Sequence, residues 1–106
     1  MRESTPEPLK LLQIIARYGE VSGRLTLHKL VYAMQLRRLV NLSYRFINYS
    51  FGPYSKELEE DLKLLQSLGL IVEERRGKDS VIKLTRKGAE VVKSLGQFRG
   101  QSRVMA

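Results

Sequence analysis

The sequence predicts one small α+β domain, mainly α-helical with a small antiparallel sheet, in the order α-α-β-α-β-β-α. Three observations carry that expectation. A chain of 106 residues, 42% hydrophobic and 28% charged, suits a single globular core. Leu58, Leu62, Leu65 and Leu68 recur at helical spacing, after the strong local stop Gly52-Pro53 and the candidate N-cap Ser55. Gly69 then closes that helix, and two strand-like runs, Leu70-Ile71-Val72 and Val81-Ile82-Lys83-Leu84, flank the turn Arg75-Arg76-Gly77-Lys78-Asp79.

The other elements follow in order. Residues 1–8 are polar and read as a flexible arm, with Pro8 able to occupy the first turn of a helix. Leu9, Leu12, Ile15 and Ala16 give that helix one apolar face, and Leu11, Ile14 and Tyr18 widen it, so it is expected to pack on two sides. Tyr18-Gly19 ends it, and Glu20 to Arg24 reads as a connector. Thr26 is the candidate N-cap of a second helix with a buried face of Leu27, Leu30, Val31 and Met34. His28, Lys29, Gln35 and Arg38 are expected on its exposed side. Ser43 to Phe51 has the aromatic and β-branched content of a strand, pairing with or lying beside the later hairpin. Thr85 is a candidate N-cap for a last helix carrying Val91, Val92 and Leu95, which Gly96 is expected to end. The domain is therefore placed at 9–95, with 96–106 a flexible basic tail.

Charge is the most informative bulk property. The chain carries +8 at pH 7 and a pI of about 10.1. The segments 1–43 and 70–106 hold +4 and +5, while 44–69 holds −1. An excess of this size points to a polyanion, most simply nucleic acid, and double-stranded DNA is the expected partner. With no cysteine, disulfides and thiolate chemistry are excluded. No apolar run approaches the ~20 residues of a membrane span, and no secretory h-region opens the chain. A cytoplasmic protein is expected, nucleoid-associated if it binds DNA.

A helix leading into a hairpin with a basic tip is the plan of a winged helix. The stretch from Leu68 to Ile71, and then Ile82 to Gly88 with its Leu84-Thr85 step, resembles the end of winged helix-turn-helix proteins of the MarR and PadR kind. There, a Leu-Thr step ends the second wing strand and opens a C-terminal helix. Lys29–Tyr32 and Gly52–Ile71 are similar to the "KLVY" and "GPYS…L…DL..L…GLI" patterns of small archaeal and phage-associated winged-helix proteins related to the antitoxin-like Panacea domain. Both resemblances imply the fold more than an activity.

The best nucleic-acid candidates are Arg75, Arg76 and Lys78, where a hairpin tip presents cations to phosphates or a minor groove. Tyr54, Ser55 and Lys56 open the central helix and are placed to hold a phosphate. Arg24, Lys29, Arg37 and Arg38 form a second basic surface around helix two, and Arg86 and Lys87 extend the first from the last helix. Against DNA readout stand Glu57, Glu59, Glu60 and Asp61 on the central helix, which instead suit a basic partner protein. Tyr32, Tyr44, Phe46, Tyr49 and Phe51 are expected in the core. A lone His28 without ligand-spaced partners gives no metal or cofactor site, and no enzyme is expected. Leu11, Ile14 and Tyr18 are the candidate interface of a homodimer.

Overall fold

Four helices and two small antiparallel sheets make up the computed structural model, which describes residues 5–105 and the side chains of residues 5–96. The elements are α1 (Glu7–Tyr18), β1 (Glu20–Ser22), α2 (Arg24–Leu36), β2 (Ile47–Tyr49), β3 (Gly52–Tyr54), α3 (Lys56–Ser67), β4 (Ile71–Arg76), β5 (Asp79–Leu84) and α4 (Arg86–Met105). The expected α+β class and order of major elements hold. Strands β1, β5 and β4 form one sheet with β5 central, and β2 and β3 form a separate two-stranded ribbon.

The core is built where the apolar stripes meet. Leu11, Leu12 and Ile15 of α1, Leu27 and Val31 of α2, and Leu58, Leu62 and Leu65 of α3 are all essentially without solvent exposure. Val21, Ile71 and Ile82 close the sheet side of the cluster. Helix α1 contacts α3, α4 and β5, as its two apolar faces demand. Leu11 and Ile14 are consequently covered by the chain itself, and of the proposed dimer face only Tyr18 stays exposed.

The helix ends follow their local chemistry. Ser55 caps α3, accepting from the Leu58 amide at 3.2 Å. Gly69, at φ 75°, ends α3 in a left-handed turn, with Leu70 N–H returning to the Leu65 carbonyl. Thr85 opens α4 twice over: its Oγ1 accepts from the Gly88 amide at 3.0 Å and donates to the Gly69 carbonyl at 2.5 Å. Gly88 is required there, because a Cβ would lie 2.0 Å from the Leu70 carbonyl oxygen.

Four local expectations change. Helix α2 starts at Arg24 behind Gly23, with no role for Thr26 as the cap. The Glu20–Arg24 connector contains β1, which pairs with β5 through Val21 and Ile82. A three-residue strand with one buried side chain has no local period, so this pairing across some sixty residues is set by tertiary contact. The strand expected at Ser43–Phe51 is only Ile47–Tyr49, and it pairs with Gly52–Tyr54, not with the β4–β5 hairpin. Residues 1–4 of the expected arm lie outside the described residues, which enter α1 at Glu7. The backbone of α4 continues past Gly96, while the side chains of 97–106 lie outside the described set.

Candidate nucleic-acid interface

Strands β4 and β5 run in continuous register from Ile71↔Leu84 to Arg76↔Asp79, so the hairpin projects about six residues from its base. Gly77, at φ 63°, makes the turn. Arg75 and Lys78 are exposed at this tip and have no ion-pair partner among the described residues. Arg76 differs: it donates to Glu20 at 2.7 Å and to Glu74 at 3.4 Å, and the Glu20 hydrogen bond raises its pKa. Glu74 is held below the usual carboxylate range by its hydrogen bond from Lys83. Glu74 is therefore paired along the sheet, while exposed Asp79 has no ion-pair partner among the described residues, so the tip carries Arg75 and Lys78 as uncommitted cations beside one free carboxylate.

Helix α3 places its carboxylates where the sequence did not suggest. Glu57 accepts from the Arg45 backbone amide at 3.0 Å, which lowers its pKa, and from the Arg45 side chain at 3.4 Å. Asp61 accepts from the Tyr44 hydroxyl at 2.6 Å. Glu59 is buried and binds both Arg24 and His28. Glu60 alone is exposed and unpaired among the described residues, alongside exposed Lys56 and Lys63.

Glu59 belongs to a buried polar network joining α2, α3 and the sheet. His28 is fully buried. Its Nδ1 accepts from the Ser55 amide at 3.1 Å, so its proton sits on Nε2 and is donated to Glu59 Oε2 at 3.1 Å. Arg24 reaches Glu59, Glu73 at 3.0 Å and Gln66 at 3.1 Å. Burial opposes its charge, but the hydrogen bond to Glu73 and the two carboxylates outweigh it and raise its pKa. Ser80 completes the set by donating to Glu73 at 2.9 Å. Ser, His and Glu meet here without the order that catalysis needs. Ser55 presents its backbone amide to His28, and its Oγ is occupied in capping.

The ribbon β2–β3 connects α2 to α3 in the chain, with β3 packed on α2. Tyr54 stacks on His28 with centroids 4.5 Å apart. Tyr49 and Phe51 stack on each other at 5.2 Å and are about half exposed. An open groove of about 760 Å³ runs between this ribbon and the start of α3, with Arg45, Tyr49, Tyr54, Lys56 and Lys63 among its walls.

The twelve expected contact residues thus separate. Arg75, Arg76 and Lys78 share the hairpin tip. Lys29, Tyr54 and Lys56 gather at the ribbon, the stem of Lys29 crossing Gly52. Arg37 and Arg38 are exposed at the C-terminal end of α2. Arg86 and Lys87 lie at the hairpin's base, about 20 Å from its tip at 3.3 Å per residue; Lys87 donates to the Leu68 carbonyl at 3.1 Å. Two expectations fail. Ser55 is fully buried and cannot hold a phosphate, and Arg24 is committed to the internal carboxylates. His28, expected on the exposed side of α2, is in the core, while Tyr49 and Phe51, expected in the core, are exposed.

One signal would have disclosed the network. Arg24, His28 and Gln35 recur at i, i+4 and i+11, a polar line interrupted only by Val31 and running beside the apolar stripe on α2. Among the described residues no cluster of His, Cys, Asp or Glu is arranged to hold a metal, and no helix is long and apolar enough to cross a membrane. No family model matches the chain, and no curated protein shows significant similarity to it.

Proposed function

We propose that the chain is a winged helix-turn-helix protein that binds duplex DNA chiefly through phosphate contacts, as a transcriptional regulator or chromatin-associated factor. In this reading β4–β5 is the wing, and its Arg75 and Lys78 lie on or between phosphates. Lys29 and Lys56 contribute from the other side of α3, and Arg37 and Arg38 extend the basic surface. One observation carries the reading: three of the four α3 carboxylates that would repel DNA accept hydrogen bonds within the chain, Glu59 in the core, Asp61 from Tyr44 and Glu57 at the surface from Arg45. What remains on the outer face is Lys56 and Lys63 against Glu60. The net charge of +8 then acts through the tip and this face.

The rival reading is a module that docks a basic partner on the acidic helix. It loses support from the same pairings, but exposed Leu64 and Leu68, 44% and 49% accessible and one helical turn apart, favour a protein contact at the C-terminal end of α3. Charge reversal separates the two. Arg75→Glu with Lys78→Glu weakens duplex binding by tenfold or more on every sequence if the wing holds phosphates, whereas unchanged affinity removes the wing from the interface.

A further inference from the structure

The β2–β3 ribbon and its turn are where exposed aromatic side chains gather, the other exposed large apolar residues besides Tyr18 being aliphatic. Ile47, Tyr49 and Phe51 are 61%, 48% and 46% exposed. The exposed aromatics are nevertheless ordered against one another. The rings of Tyr49 and Phe51 lie 5.2 Å apart with planes 10° from parallel, and Tyr54 meets both edge-on at 6.1 and 6.3 Å. Tyr54 is itself stacked on buried His28, at 4.5 Å and 17°. His28 is fixed at both nitrogens, by Ser55 and Glu59. A chain of aromatic contacts therefore anchors the exposed pair to the core.

Cations surround this pair. Lys29 runs so close under the turn that a Cβ on Gly52 would lie 3.1 Å from its Cε. Arg45, Lys56 and Lys63 line the groove beside Tyr49 and Tyr54. Of the groove's three carboxylates, Glu59 faces the internal network and Glu57 is paired with Arg45, which leaves Glu60. Aromatic rings interleaved with lysines match a nucleic-acid strand whose bases are unstacked: every base has a π-face for the rings and a phosphate for the ammonium groups.

We propose that Tyr49 and Phe51 form a stacking platform for unpaired or unstacked nucleobases, with Lys29 and Lys56 holding the adjacent phosphates. This rests on the nucleic-acid reading above and deepens it, making DNA with exposed bases the preferred substrate over continuous duplex.

The test compares anisotropy of a duplex with that of the same duplex carrying a four-nucleotide single-stranded gap with 2-aminopurine in the gap. Wild type binds the gapped DNA more tightly and quenches the 2-aminopurine. Tyr49→Ala and Phe51→Ala each weaken gapped binding by about fivefold to a hundredfold, the range for losing a stacked aromatic, with duplex affinity unchanged. Phe51→Leu keeps apolar bulk but loses the stack and gives the same result, and Tyr49→Phe retains wild-type preference. Equal affinity for the two DNAs, or alanine variants that keep the preference, overturns the platform and leaves the duplex reading standing. Binding to gapped DNA alone sustains the platform and overturns the duplex reading. Binding to neither overturns both and leaves the ribbon as a protein-facing surface.

Discussion

Glu59 is the buried carboxylate on which the polar network between α2 and α3 closes. It accepts from the imidazole of a fully buried histidine on one oxygen and from Arg24 on the other, tying α2 to α3. Glu59→Ala strips the His28 Nε2–H of its acceptor in a site closed to water and leaves Arg24 with Glu73 alone for charge. The expected loss is about 2–3 kcal/mol, given that Arg24 is partly solvated, and urea unfolding measures it. A loss below about 0.5 kcal/mol would show that the network is not structural. Tyr44 gives a prediction in pH. Burial, with the hydrogen bond and charge of Asp61, pushes its phenol well above the usual range. The unfolded chain ionises near pH 10 while the fold keeps the proton, so the contribution is whole below that pH and falls away above it. The loss approaches ~1.4 kcal/mol per pH unit. Tyr44→Phe removes this alkaline decline relative to wild type, a difference visible in denaturation curves between pH 9 and 11. Parallel curves for the two proteins would contradict it.

At the scale of elements, the junction of α3, β4 and α4 is the tightest point. Gly88 sits in a helix, where alanine by propensity alone would stabilise by about 1 kcal/mol. The Leu70 carbonyl, 2.0 Å from the would-be Cβ, reverses the sign. Gly88→Ala is expected to cost roughly 2–3 kcal/mol as backbone is forced apart, while Gly96→Ala, with open space around it, is neutral or stabilising. Thermal denaturation of the pair reads the difference directly, and a stabilised Gly88→Ala would refute the close approach. These features also show what the sequence discloses. Caps at Ser55, Gly69 and Thr85 and the hairpin turn at Gly77 are local chemistry, and they are legible in the chain. The strand at Glu20–Ser22 is not, since its partner lies in β5 and only Val21 faces inward. Likewise Tyr49 and Phe51 resemble core residues in any window, because β propensity does not distinguish a buried face from a solvent-facing ribbon.

The whole molecule turns on where charge is spent. Counted along the sequence, α3 is an acidic helix and an obstacle to DNA. In space, Arg24, His28, Tyr44 and Arg45 take up three of its carboxylates, and the cations left over include Arg75 and Lys78 at the hairpin tip and Lys29 and Lys56 around the ribbon. No linear charge count could have shown this, because the partners are separated by up to 35 residues. The same pairings withdraw Arg24 from the proposed interface, while Arg75 and Lys78 have no ion-pair partner among the described residues. These free cations are proposed to engage phosphates, and fluorescence anisotropy on a random-sequence duplex across a salt series tests that most directly. With roughly four to six phosphates neutralised, log K falls against log salt with a slope of roughly −4 to −5. Arg75→Ala with Lys78→Ala makes that slope shallower by about 2. A slope near zero, or one that the double variant leaves unchanged, would contradict the account.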